Sequence, residues 1–353
     1  MAISSSTFVE FTDCSSRFRQ LLRNLAMHWP MVMKTALDAR FRRGTPKESS
    51  MPSAHSVRKL VAGACLAAIA SCGTTPPPTP RVQYMEANGA RLPYVDEGRG
   101  PTVLFVHGGL GDYRTWNRQR NALAAEGFRA ISYSLRYFGT GPWAPNWPAF
   151  GVQTHADDLA AFIRGLDSGP VHLVGWSYGG SIVLAVATKH SDLLKSALVY
   201  EPGQTSHVTD PLELKTLGDD AAATFGPVML ALKSDDNPAA AKQLIDALGG
   251  RKGYFEEQPP FTRAVQLDSA RVMPALFADK APPISCTQLG QIKPPVAIGR
   301  GASGRPFFRV IADSAARCMP NSTLIVVPNA GHLWPGEDVP GFNATLVGFL
   351  KGK

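Results

Sequence analysis

Five short runs of apolar residues, many of them β-branched or aromatic, recur along the chain, and a loop begins directly after each run. The runs cover residues 103–106, 171–174, 196–200, 295–298 and 323–328. Runs of this length and composition are typical of strands that are buried on both faces of a parallel sheet. The sequence therefore predicts several parallel strands whose carboxyl ends all carry loops.

Helical spacing appears between these runs. Leu159, Phe162 and Ile163 share one face of a predicted helix over residues 155–163, and a second helix follows residue 180. Between residues 202 and 291 no strand pattern is clear, whereas residues 221–232, 239–248 and 267–277 show helical periodicity. Alternating strands and helices predict a mostly parallel, doubly wound α/β core, residues 82–201 and 292–353, interrupted by a helical insertion over residues 202–291.

The candidate nucleophile is Ser177. It lies in Gly175-Trp176-Ser177-Tyr178-Gly179, where an apolar run stops and a helical pattern begins. A serine in a sharp strand-to-helix turn needs very small neighbours two positions away on each side, and both are glycines here. The turn predicts an exposed hydroxyl at the end of the strand, with the helix N-terminus behind it.

Two further segments complete a candidate acyl-transfer site. His107-Gly108-Gly109-Leu110-Gly111 follows the first run, and a small-residue loop there can direct backbone N–H groups at an oxyanion. Gly109 is the first choice for that donor and Leu110 the second, and Tyr178, the residue after the nucleophile, supplies the other N–H. His332 follows the last run in a small-residue loop and is the candidate general base.

Together these segments resemble the α/β-hydrolase superfamily over about residues 82–349. The resemblance implies an α/β-hydrolase sheet, a Ser–His–acid mechanism and an oxyanion loop, and it relates the 202–291 insertion to the helical caps of that superfamily. The usual acid position after the 295–298 run falls near Ser303 or Gly304, where no carboxylate is present.

Glu201 is the preferred candidate for the acid that orients His332. It ends the strand after the nucleophile helix and precedes Pro202, and some lipases of the superfamily are similar in carrying their acid there. Two alternatives remain open. The acid is weakened or absent, or it is one of Asp313, Glu337 and Asp338, which read more simply as helix and surface charges.

The positive charge belongs to one end of the chain. The 353 residues carry 36 Lys and Arg against 28 Asp and Glu, yet residues 1–72 hold ten of the basic residues and only four of the acidic ones. The remainder is almost neutral, so the basic balance predicts no nucleic-acid partner.

The basic end reads as a leader. Arg58-Lys59 precedes an apolar run of eleven residues, too short to span a bilayer, which ends in small residues before Cys72. Residues 51–72 resemble a bacterial lipoprotein signal, which implies lipidation of Cys72 and a lipid-anchored protein in the bacterial cell envelope. An ordinary secretory signal is the alternative. Residues 73–81 read as a Pro-rich tether. Residues 1–50 read as an extension from a mis-assigned start codon or as a true cytoplasmic segment.

Export also bears on the cysteines. Cys286 and Cys318 remain in the proposed mature chain, and a disulfide between them and two free thiols are both open. No Cys or His cluster and no dinucleotide-binding glycine pattern stands out, so neither a metal nor another cofactor is expected. Trp176, Tyr178 and Trp334 flank the candidate site and are predicted to line a substrate pocket.

These features predict a serine hydrolase acting on a small ester or related acyl substrate. A lactonase, an aminopeptidase, a carbon–carbon hydrolase and a cofactor-free haloperoxidase of the same superfamily share these motifs and remain alternatives. A non-catalytic binding lipoprotein on the same scaffold is the rival from another class, and the loop without a carboxylate favours it.

Overall fold

A computed structural model describes residues 81–352 of the chain. The predicted signal, the start of the tether and Cys72 lie outside the described residues. Within the described range no helix is both long and apolar enough to cross a lipid bilayer.

The core of the molecule is a sheet of eight strands in the order β1-β2-β4-β3-β5-β6-β7-β8. β1 and β2 pair antiparallel, as do β2 and β4, whereas the pairs from β4 through β8 are parallel. The predicted mostly parallel α/β fold is therefore confirmed. The strands are β1 (Gln83–Ala87), β2 (Ala90–Gly98), β3 (Thr102–Val106), β4 (Arg129–Tyr133), β5 (Val171–Trp176), β6 (Leu194–Tyr200), β7 (Val296–Gly301) and β8 (Thr323–Val327).

Helices cover both faces of this sheet because the central strands are apolar on both sides. Leu104 and Val106 face α2 (Val152–Gly165), α3 (Tyr178–Lys189) and α10 (Pro306–Cys318). Val103 and Phe105 lie on the opposite face with α1 (Asn117–Ala125) and α12 (Val339–Lys351). The alternation follows from the two-residue repeat of a strand.

The strand order places a crevice at the ends of β3 and β5. After β3 the chain moves to β4 on one side, and it later returns to β5 on the other side of β3. The loops after β3 and β5 therefore separate at this point, and ligands in open α/β sheets bind in such crevices. Ser177 and the Gly108–Gly109 loop both lie at this edge of the sheet.

The segment between β6 and β7 is helical throughout its regular elements. It contains α4 (Pro211–Lys233), α5 (Asn237–Leu248), α6 (Tyr254–Glu257), α7 (Pro260–Asp268), α8 (Met273–Ala278) and α9 (Cys286–Gly290). Three single-turn 3₁₀ helices, Tyr113–Trp116, Ser191–Leu193 and Ala270–Val272, and the short α11 (Trp334–Glu337) complete the described chain. We refer to residues 202–291 as the cap.

Two cap helices differ from the sequence prediction. α4 begins ten residues before the predicted residue 221, because Asp210 accepts hydrogen bonds from the N–H groups of Leu212 and Glu213 at 2.9 Å. The helix predicted over residues 267–277 is broken into the end of α7, a 3₁₀ turn and α8. Ser269 Oγ donates to Gly111 O at 3.0 Å across the break. Pro274 has no N–H and fits only in the first turn of α8.

A disulfide joins Cys286 at the start of α9 to Cys318 at the end of α10, so it links the cap to a core helix. The enclosed segment contains all of β7.

Candidate active site

Ser177 lies in a strained turn between β5 and α3, with φ +58° and ψ −122°. The turn is possible because the residues two positions away on each side, Gly175 and Gly179, have no side chains. A Cβ atom at Gly179 would lie 2.4 Å from Val106 O, and one at Gly175 would lie 2.7 Å from Gly179 O. Non-glycine residues rarely adopt such a φ, and the strain persists only where surrounding packing enforces it.

The start of α3 and the loop after β3 both lie beside Ser177 at the cavity. Tyr178 is the first residue of α3, so its N–H has no acceptor within the helix. The β3 loop approaches from the other side, since a Cβ atom on Gly108 would lie 3.4 Å from Ser177 Cβ. Gly109, Leu110 and Tyr178 line the same cavity as Ser177. Their positions suit oxyanion donors, a role that remains a prediction.

His332 and Glu201 form a buried hydrogen-bonded pair, with His332 Nδ1 2.8 Å from Glu201 Oε2. The N–H of Gly301 donates to the other carboxylate oxygen, Oε1, at 2.9 Å. A carboxylate only accepts here, so Nδ1 carries the proton and Nε2 is left with its lone pair. This arrangement fixes the tautomer that a general base requires.

Ser177 and His332 both line one cavity, although they lie 155 positions apart in the sequence. Among the described residues no hydrogen bond joins their side chains. Hydrogen bonds between catalytic groups are often long before a substrate binds, so this geometry is compatible with a serine–histidine pair.

The Glu201 carboxylate lies beside the loop after β7, which has no carboxylate of its own. A Cβ atom at Gly304 would lie only 2.7 Å from Glu201 Oε1. A side chain at residue 304 would therefore collide with the carboxylate that contacts His332. The strand that supplies the carboxylate is thus β6, next to β7 in the sheet.

The other candidate carboxylates are engaged elsewhere. Asp313 Oδ1 lies 2.6 Å from Arg300 Nε, and Asp338 caps α12 by accepting from the N–H of Gly341 at 3.0 Å. Glu337 accepts a hydrogen bond from the hydroxyl of Tyr254.

Three aromatic side chains hold the His332 loop in place. The ring of Phe308 stacks on His332 with centroids 3.8 Å apart. Trp176 Nε1 donates to His332 O at 2.8 Å, and Tyr200 Oη donates to Gly331 O at 2.7 Å. The sequence does not predict the roles of Phe308 and Tyr200, because its pattern identifies them only as apolar residues of a helix and a strand.

A cavity of about 720 Å³ lies between the sheet edge and the cap. Trp176 and Tyr178 line it, as predicted from the sequence. The prediction that Trp334 also lines it is wrong. Trp334 is buried in the core, with its ring 5.2 Å from Tyr200 and 5.3 Å from Phe342. It begins α11, which turns its side chain from the loop toward α12.

Most of the cavity wall is apolar. The cap contributes aromatic and aliphatic side chains, among them Phe225, Leu244, Leu276 and Phe277. Leu276 covers the loop after β3, since a Cβ atom at Gly109 would lie 2.7 Å from Leu276 Cδ2. The cap thus covers part of the candidate site with apolar side chains.

Comparisons with known proteins agree with this geometry. A family model described as the alpha/beta hydrolase fold matches residues 101–337. The chain is 28% identical to the putative non-heme bromoperoxidase BpoC of Mycobacterium tuberculosis over 275 residues, which cover 73% of this chain and 97% of that protein. It is 29% identical to the non-heme chloroperoxidase CPO-A1 of Kitasatospora aureofaciens over 176 residues, 49% of this chain and about half (54%) of that relative.

Among solved structures, the carboxylesterase CesB of Bacillus subtilis superposes with a TM-score of 0.62. It shares 19% sequence identity with this chain, and the match covers 78% of this chain and 93% of that one. At this identity the likeness concerns the fold.

Proposed function

The chain belongs to the α/β-hydrolase fold family, and on that premise we propose that it is a serine hydrolase that cleaves an ester or a related acyl compound. The observation that carries the proposal is the buried Glu201–His332 pair, whose imidazole faces the cavity that Ser177 also lines. A serine activated by such a pair attacks a carbonyl carbon and forms an acyl-enzyme.

The roles of the residues follow from their positions. His332 Nε2 takes the proton of Ser177 during attack and returns it to the leaving group. Glu201 keeps His332 in the correct tautomer and stabilises the imidazolium. The N–H groups of Gly109 and Tyr178 stabilise the oxyanion, and removing one such donor typically costs roughly 10²–10³ in rate. Water then hydrolyses the acyl-enzyme.

The apolar lining that the cap contributes to the cavity suits an acyl substrate with an apolar body. Phe225, Leu244 and Phe277 reach the cavity from three separate cap helices. Similar proteins are named as haloperoxidases and as a carboxylesterase. Ester cleavage is therefore our proposal for this chain and is not taken from any one of them.

A fluorophosphonate probe tests the proposal directly. We expect rapid covalent labelling of Ser177 and loss of labelling in His332→Ala, because the probe reacts with an activated serine. Removal of one member of a triad typically lowers turnover by about 10⁴–10⁶.

Ser181→Ala is the matched control. Ser181 lines the same cavity one helical turn later, but it contacts the N–H of Gly203 at 3.0 Å and not the imidazole. This variant should retain full labelling. Absence of labelling in the wild-type protein would instead favour a binding protein that kept the scaffold.

A further inference from the structure

Three polar side chains in and behind the cavity wall have no part in the proposed mechanism. Tyr178 and Asp279 both line the cavity, and Tyr178 Oη lies 3.5 Å from Asp279 Oδ2. The same hydroxyl lies 3.0 Å from Nδ1 of the buried His155. Tyr178 belongs to the core and Asp279 to the cap, so the pair spans the cavity wall beside the nucleophile.

The Tyr178 hydroxyl donates its proton to Nδ1 of His155. His155 Nε2 lies 3.1 Å from Arg136 O, and a backbone carbonyl only accepts, so Nε2 carries the ring proton. Burial lowers the pKa of His155 to about 3, so the ring is neutral and Nδ1 has a lone pair. The Tyr178 hydroxyl therefore donates to His155 at 3.0 Å, and its contact with Asp279 Oδ2 at 3.5 Å is the weaker of the two.

Asp279 has no cationic partner among residues 81–352. Its Oδ2 accepts from the N–H of Val152 at 3.0 Å, at the start of α2. Burial raises the pKa of this carboxyl, and only the hydrogen bonds from Val152 N–H and Tyr178 Oη oppose that shift, not a cation. By contrast, Arg114, which lines the same cavity, lies 2.6 Å from carboxylate oxygens of both Asp112 and Asp268.

We propose that the cavity binds a protonated amine of the substrate between Tyr178 Oη and the carboxylate of Asp279. This inference rests on the proposed hydrolase function and names the substrate class. An ammonium group supplies a cationic donor to both oxygens, and a charge-assisted hydrogen bond is among the stronger polar contacts. The substrate is then an acyl compound with an amine on an otherwise apolar body, whose remainder packs on the apolar cap side chains.

The test uses primary alkylammonium ions and alkanols of equal chain length as competitive inhibitors of the hydrolysis of a neutral ester at neutral pH. In the wild-type protein we expect each ammonium ion to inhibit more strongly than its matched alcohol. In Asp279→Asn that preference should fall about tenfold or more, as expected for loss of a hydrogen bond to a charged group. The asparagine keeps an oxygen acceptor for Val152 N–H, so the start of α2 remains capped.

Glu337→Gln is the matched control. Glu337 also lines the cavity, but it is exposed and bonded to the Tyr254 hydroxyl. This variant should keep the full preference for ammonium ions. Circular dichroism and a thermal melt establish that each variant is folded.

Two results would overturn the inference. Equal inhibition by ammonium ions and alcohols, or an unchanged preference in Asp279→Asn, would show that Asp279 only joins the cap to α2. If no neutral ester is cleaved and Ser177 is not labelled, the proposed function fails separately. Titration calorimetry with octylammonium and octanol, on both the wild type and Asp279→Asn, then measures the same preference without turnover.

Discussion

At the scale of single residues, Glu201 shows why the acid was difficult to assign from the sequence. Its position after β6 and before Pro202 made it the preferred candidate, yet the sequence could not place its carboxylate relative to His332. The structure brings the two side chains within 2.8 Å, and Glu201 adopts a φ of +43°, uncommon for a residue with a side chain. Nothing in the local sequence predicts this left-handed backbone, because tertiary contacts with β7 impose it.

Glu201→Gln should lower turnover by roughly 10³–10⁴ while the fold survives, by analogy with the loss of a triad carboxylate. The amide of glutamine can donate to Nδ1 and so favours the wrong tautomer of His332. Steady-state kinetics on the best ester substrate measure the effect. Asp313→Asn, which only breaks the ion pair with Arg300, should leave turnover unchanged. Turnover close to wild type in Glu201→Gln would reject the assignment.

At the scale of elements, the buried strands and the loops after them could be predicted well. Continuous apolar runs identified the central parallel strands because both of their faces are covered, whereas β8 is an edge strand in which Leu324 and Val326 are exposed. The cap was less predictable, since its helices are short and their ends depend on caps and prolines. The Asp210-Pro211 pair was a readable start signal for α4 that the sequence analysis missed. The break at Ser269 could not be foreseen, because its partner Gly111 lies in another element.

His107 joins two of the loops at the sheet edge. Its Nδ1 lies 2.8 Å from Gly108 O, and its Nε2 accepts from the N–H of Leu135 at 3.1 Å, so the β3 loop is tied to the β4 loop. Burial lowers the pKa of His107 from 6.5 to about 4. In this pH range His107 is therefore neutral in the folded protein but protonated in the unfolded chain.

This difference makes the fold sensitive to acid. Between pH 6.5 and 4 the unfolded chain binds a proton at His107 that the folded state does not, so stability is lost as the pH falls. At pH 5 the loss from this one group is about 2 kcal/mol. In His107→Gln the decrease in unfolding free energy from pH 7 to pH 5 should be smaller by about that amount. Urea unfolding at the two pH values measures it, and an equal decrease in both proteins would contradict the argument.

At the scale of the whole molecule, the site exists only because distant segments converge. Ser177, Glu201 and His332 come from three different strand ends, and the cap closes the space above them. Sequence order and strand ends predicted that convergence. The size of the cavity and the inward position of Trp334 could not be read from the sequence, because they depend on how the cap and the final helices pack.

The predicted lipid anchor also belongs to this scale. Cys72 lies outside the described residues, so the anchor stays a prediction. We expect the wild-type protein to fractionate with membranes and Cys72→Ala to become soluble, because a lipidated cysteine would supply the membrane affinity. Cys65→Ala, a change within the apolar run before it, should leave fractionation as in the wild type. Membrane association that persists in Cys72→Ala would contradict the anchor.

The disulfide between Cys286 and Cys318 has a consequence for how substrate enters. Two polypeptide connections attach the cap to the core, one after Glu201 and one before β7. The disulfide clamps the second connection to α10, and the first carries no such clamp. The α9 end of the cap is therefore held to the core by a covalent bond, whereas α4 is held to α10 only by non-covalent contacts such as the Arg317–Glu213 ion pair, so cap movement is most restricted beside α9. Reduction of the disulfide by thiols should therefore loosen the cap beside α9. We expect it to change kcat/KM for bulky esters more than for small ones.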